Sequence, residues 1–159
     1  MLATRWSRRS WLAATTFLAS SSTLPAKVTG EEVMYVGGTI AELPEATEGG
    51  VDLKNPKVFV FHSERGGFQI PYNSIKTLEY GQKAGRRVGV AIVITVWALF
   101  SKKRKHFLTI GYDNTEGAPQ GVVLEIAKGR AKTFIAILEA RSGKKVEYES
   151  EEAKKHVHG

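Results

Sequence analysis

Between Glu79 and Asp113 the chain carries no acidic residue, and inside that window stands an apolar run, Val88–Phe100, interrupted only by Gly89 and Thr95. Arg86 and Arg87 precede the run; Lys102, Lys103, Arg104 and Lys105 follow it. As a helix, these thirteen residues would extend about 20 Å at ~1.5 Å per residue. That is short of the ~30 Å hydrocarbon core of a bilayer. Cations on both flanks also suit a segment that enters and leaves on one side. Trp97 and Phe100 are the side chains expected at a membrane interface. Shallow insertion with basic flanks on anionic head groups supplies the two signals that stable peripheral binding needs.

The same residues support two other readings. Seven of the thirteen are β-branched, which favours strand, so the run also reads as core sheet with solvated basic ends. Thirteen residues exceed the usual strand of about five or six, and no turn residue divides them. The third reading is a protein-binding or self-association surface. The contact residues on any surface reading are Arg86, Arg87, Trp97, Phe100, Lys102, Lys103, Arg104 and Lys105.

Together with Lys83, the flanking cations account for the whole formal charge of +7; the remaining Lys and Arg balance the Asp and Glu. Basicity in one patch points to a local anionic partner, either a membrane surface or a protein. Nucleic acid is not expected, because nucleic-acid modules interleave aromatics with charges across a sheet or groove. Here the charges bracket an apolar block.

The first thirty residues contain no Asp or Glu. Arg5, Arg8 and Arg9 come first, an apolar stretch runs from Trp11 to Ala19, and Ser20–Ser22 lead to Ala26. This is the order of an export signal ending at Ala26. Ser7-Arg8-Arg9-Ser10-Trp11-Leu12 also resembles the twin-arginine export motif, with Trp where Phe is usual. The expectation is a bacterial exported protein, periplasmic or peripheral to the membrane; a mitochondrial transit peptide is the alternative.

The remaining chain is long enough for one core. Hydrophobic residues at 42% and charged residues at 25% are ordinary for a globular domain and exclude wholesale disorder, collagen and a polytopic membrane protein. Cysteine is absent, so disulfides, thiolate metal sites and cysteine catalysis are excluded.

Strands are expected over Glu32–Ile40, with a bulge at Gly37-Gly38, and over Lys57–His62. Arg65-Gly66-Gly67 turns the second into Phe68–Ile70 as a hairpin. Further strands are expected over Ile75–Tyr80, His106–Tyr112 and Val122–Ile126. Leu43-Pro44 through Gly49-Gly50 reads as a polar loop. The period changes near Gly129: Ala131, Phe134, Ile135, Leu138 and Ala140, with Ile137 and Arg141, fit a helix of about twelve residues with one apolar face. Ser142-Gly143 and the following lysines stop the helix. Glu147–Gly159 is charged and aperiodic, and reads as a disordered tail. The fold class is therefore α+β: a bent antiparallel sheet or open barrel capped by one C-terminal amphipathic helix.

Ile70-Pro71-Tyr72-Asn73-Ser74-Ile75-Lys76-Thr77-Leu78 resembles the "I-P-x-x-x-I-x-x-L" strand segment of bacterial pleckstrin-homology-like (PH-like, GRAM-type) domains. The strand pair ending at Lys128-Gly129 and the closing helix are similar to that family as well. Gly85-Arg86-Arg87, the Lys102–Ile110 stretch and Ala140-Arg141-Ser142-Gly143-Lys144 resemble a group of uncharacterised exported bacterial proteins. The resemblance spans residues 33 to 148 and implies a PH-like domain over 27–146 with an apolar insertion at 86–105. Such domains bind lipids, peptides or protein surfaces. The cations here flank an insertion instead of lining the first hairpin loop, so inositol-phosphate recognition does not carry over.

Catalytic signatures are missing: there is no G-x-S-x-G, H-E-x-x-H, P-loop or dinucleotide-binding glycine set. A non-enzymatic module without cofactor or metal is expected. His62 and His106 read as structural strand residues, and His156-Val157-His158 as a poor metal site.

Overall fold

The computed structural model describes residues 31–82 and 106–159. Eight strands form one curled sheet, a half-barrel. They are β1 (Glu31–Gly38), β2 (Thr47–Asp52), β3 (Val58–Ser63), β4 (Gly66–Pro71), β5 (Ile75–Gly81), β6 (Phe107–Asp113), β7 (Pro119–Ile126) and β8 (Val146–Tyr148). Two helices follow the seventh strand: α1 (Ala131–Ser142), before β8, and α2 (Glu151–His158), after it. The strand order is β4-β3-β2-β1-β7-β6-β5-β8. One meander, β1 to β4, is thus joined through its first strand to the last strand of a second meander, β5 to β7. These neighbours are all antiparallel; β8 adds to β5 in parallel.

Period-two alternation sends one set of side chains to the inner face. Val33, Tyr35, Val51, Phe59, Phe61, Ile70, Leu78, Tyr80, Leu108, Ile110, Val122 and Leu124 are all buried there in one cluster. The bulge expected in β1 is present: its register against β7 shifts between Tyr35 and Gly37. A Cβ at Gly38 would sit 2.3 Å from the Gly121 carbonyl oxygen, so glycine lets β1 and β7 close together at the bend.

The expected helix is α1. It buries Ala131, Phe134, Ile135 and Leu138, and Phe134 meets Phe59 edge-on at 5.9 Å between ring centroids. Gly143 ends it in the left-handed region at φ 69°, its N–H donating to the Glu139 carbonyl at 2.9 Å. Glycine adopts that conformation without the Cβ penalty. Two residues earlier, Arg141 Nη1 lies 2.5 Å from the Leu53 carbonyl oxygen, 2.9 Å from that of Asn55 and 3.0 Å from the Tyr72 hydroxyl. Tyr72 begins a single 3-10 turn, Tyr72–Ser74, that carries the chain from β4 to β5. The C-terminal end of α1 is therefore pinned to the junction between the two meanders.

Three sequence expectations need correction. Thr47–Asp52 is strand, although Leu43–Gly50 reads as loop. Gly49 belongs in the strand because the Phe61 ring lies over it: a Cβ would come within 2.6 Å of Phe61 Cζ. Among the described residues two helices follow β7, where one C-terminal helix was expected. Residues 147–159 are also ordered: Val146–Tyr148 pairs with Leu78–Tyr80, and α2 follows. The Ser150 side chain caps α2 by accepting the Ala153 N–H at 3.1 Å. Glu151 and Glu152 sit favourably in its first turn. Only Ala153 and Val157 are buried. An apolar pair four residues apart is enough to dock two turns of helix, but too short a pattern to stand out in a charged run.

Candidate functional site: the roots of the 83–105 segment

The eight residues expected to contact a surface, Arg86, Arg87, Trp97, Phe100, Lys102, Lys103, Arg104 and Lys105, lie outside the described residues, as does the expected export signal, 1–26. The structure does place the two points where the segment carrying those eight residues is attached. It connects β5 to β6, and these strands are antiparallel neighbours in which Gly81 is the register partner of Phe107. The segment therefore departs and returns at adjacent positions on one end of the sheet.

The C-terminal residues gather at that end. Tyr148 pairs with Tyr80, and the Glu149 N–H donates to the Tyr80 carbonyl at 3.0 Å. This carries the Glu149 side chain past Gly81, where a Cβ would meet Glu149 Cβ and Oε2 at 2.4 Å. Glu149 Oε2 then accepts the Gln82 N–H at 2.6 Å. A charged acceptor at that distance makes this one of the stronger hydrogen-bond types.

The other root is held through rings. His106 stacks on His156 of α2, with centroids 3.8 Å apart and planes 16° from parallel. Tyr80 flanks both histidines, at 5.6 Å from His106 and 6.1 Å from His156. The Tyr80 hydroxyl and His156 Nδ1 are 2.9 Å apart. A second ring pair, Tyr148 and His158, lies beside the first, hydroxyl to Nε2 at 3.1 Å. Burial pushes the Tyr80 hydroxyl up to about 12, with Tyr148 adding to the shift; the phenol stays protonated and available for the histidine.

His106 is thus no solitary strand histidine, and His156 and His158 stand on a docked helix with tyrosine neighbours. Sequence reasoning missed this cluster because its members are separated by up to 76 positions. The one available signal was the H-x-H pair in register with the apolar Ala153 and Val157. His62 lies on β3, far along the sheet order from β5 and β6.

An open groove across the β1–β7 seam is lined by Glu32, Glu48, Glu64 and Glu125 with Arg65. Glu125 is also the register partner of Phe107. Among the described residues, no group of three or more His, Asp or Glu side chains is arranged to hold a metal ion. No described helix is long and apolar enough to cross a membrane. Comparison with protein-family models gives no match, and neither does comparison with curated proteins.

Proposed function

We propose that the chain is a non-enzymatic, exported PH-like module that attaches to an anionic membrane surface through its basic-flanked apolar segment, residues 86–105. The observation that carries this reading is the pairing of Gly81 with Phe107. The two roots of the segment that carries Arg86, Arg87 and Lys102–Lys105 leave the sheet side by side, which supports one-sided contact with head groups. Trp97, Phe100 and their apolar neighbours enter the interface, and the cations hold anionic lipid. The PH-like assignment is supported by two meanders joined into one curled sheet, and by the closing helix α1 across its inner face. The I-P-x-x-x-I-x-x-L stretch supports it too, because Pro71 and Tyr72 make the junction that Arg141 pins.

The test is vesicle flotation of the chain from Lys27, which retains the complete cluster on the inner face of the sheet. Wild type is expected to float with anionic vesicles, with partial retention at high salt, and to stay down with neutral ones. Changing Lys102, Lys103, Arg104 and Lys105 to Glu should cut low-salt binding at least a hundredfold, at about 1 kcal/mol per cation lost. Wild type that remains in the soluble fraction with every vesicle overturns the reading. If light scattering then gives a dimer, the apolar segment serves self-association instead.

A further inference from the structure

We propose that strand β8 and helix α2 form an exchangeable unit, and that the seat they occupy on β5 and β6 takes the same unit from a second copy of the chain. The exchange is reciprocal and does not depend on the membrane reading above.

The seat is specific for this unit. Its edge is Leu78–Tyr80, along which Val146–Tyr148 lies in parallel, whereas the other described strand neighbours are antiparallel. Its wall is the His106 ring, on which His156 stacks at 3.8 Å between centroids, beside the Tyr80 hydroxyl at 2.9 Å from His156 Nδ1. Its floor is the main core cluster, which Ala153 and Val157 complete. The Glu139 carboxylate on α1, which accepts the Val146 N–H at 2.8 Å, also belongs to the seat. Each of these contacts joins the unit to the body of the domain, so each forms equally with a unit from another copy. What differs between the two arrangements is the connection.

That connection is short and turns on one residue. Gly143, Lys144 and Lys145 are exposed and are all that separates α1 from β8. Gly143 reverses the chain at φ 69°. A Cβ there would meet nothing within 4 Å, so a side chain at 143 adds no clash and acts through the backbone alone. Residues with a Cβ disfavour the left-handed conformation. In the right-handed one, α1 runs on through the connection and carries the unit away from its own sheet, to where a second copy offers the seat. Exchange of identical elements about a hinge of this kind is an accessible route to a symmetric dimer.

The unit is also separable from the core. α2 buries only Ala153 and Val157, and β8 is a three-residue pairing at the edge of the sheet. Small, peripheral units open at lower free energy than the domain unfolds. A short tether presents the unit to its own seat at an effective concentration on the order of millimolar. A second copy therefore competes once the protein itself approaches that concentration.

The experiment uses the chain from Lys27, which keeps every described residue. Isotope-labelled and unlabelled wild type are refolded together at about 1 mM, the concentration at which exchange competes. Nuclear Overhauser contacts between the His106 ring of one copy and the His156 ring of another should appear in the dimer fraction. Gly143→Ala should raise the dimer association constant about thirtyfold, from about fivefold at each of the two hinges, and bring the dimer into the range of tens of micromolar by light scattering. Gly143→Asn, whose side chain tolerates the left-handed region, should stay near wild type.

Wild type that gives no contact between the rings of different copies at millimolar concentration overturns the exchange, and this arm decides the matter even where the alanine variant does not fold. A dimer whose ring contacts stay within one copy overturns it as well, and assigns self-association to another surface. An unchanged association constant for folded Gly143→Ala overturns the part given to the hinge.

Discussion

Replacing Phe134 with Ala should destabilise the protein by about 3–5 kcal/mol, the usual cost of deleting a fully buried aromatic. Phe134 is 1% exposed and touches Phe59 edge-on. Phe59 in turn stacks on Phe68, which stacks on Phe61 at 5.1 Å and meets Tyr35. The ring at 134 is therefore the contact by which α1 joins an aromatic row crossing β1, β3 and β4. Its loss opens a void against side chains that the sheet holds in place, so little collapse is available to offset it. Stabilities of small domains run about 5–15 kcal/mol, and the variant should sit near the edge of folding. Urea unfolding followed by far-ultraviolet circular dichroism measures the effect. A loss below 1 kcal/mol would mean that α1 does not close the inner face.

Alkaline pH should unfold the protein at a point set by two tyrosines. Burial pushes the Tyr35 and Tyr80 hydroxyls from 10.0 up to about 12. Below pH 10 each is protonated in both the folded and unfolded chains, so neither makes stability depend on pH. Above pH 10 the unfolded chain releases these protons and the folded chain keeps them, so stability falls as pH rises toward the folded values. Each tyrosine contributes about 1.4 kcal/mol per pH unit over that window, on the order of 5 kcal/mol for the two by pH 12. Tyr112 and Tyr148 are raised as well, chiefly by burial, and add in the same direction. Urea midpoints should be flat from pH 7 to 9 and drop steeply above 10, with tyrosinate absorbance appearing together with unfolding. Ionisation of Tyr35 and Tyr80 near pH 10 while the sheet remains intact, followed for each ring by NMR, would show that these two hydroxyls are hydrated.

Much of the sheet was readable because its signals are local. The β3–β4 hairpin announces itself by Val58–Phe61 and the Arg65-Gly66-Gly67 turn, and α1 by an apolar face repeating over three turns with Gly143 behind it. The strand that escaped, β2, has glycines where a neighbour's ring needs room; Gly49 reads as a turn until Phe61 is seen above it. The C-terminal elements escaped for a different reason. β8 has three residues and α2 buries two side chains, so neither carries a pattern long enough to compete with the charged composition around it. The histidine and tyrosine cluster exists only once β5, β6 and α2 are brought together, and no spacing in the chain encodes that meeting. The residues proposed for contact between 86 and 105 lie outside the described residues, and only the pairing of Gly81 with Phe107 at their two roots came from the fold.

The seam between β1 and β7 has a consequence for how the molecule is made. Val33 pairs with Ile126 and Gly38 with Val122, so the first strand waits for nearly the last. During synthesis β1 to β4 can form their meander as they emerge, yet Tyr35, Phe59 and Phe61 remain uncovered until β7 and α1 have followed. Long-range closure of this kind slows folding, and an aromatic row left uncovered for that interval is prone to association.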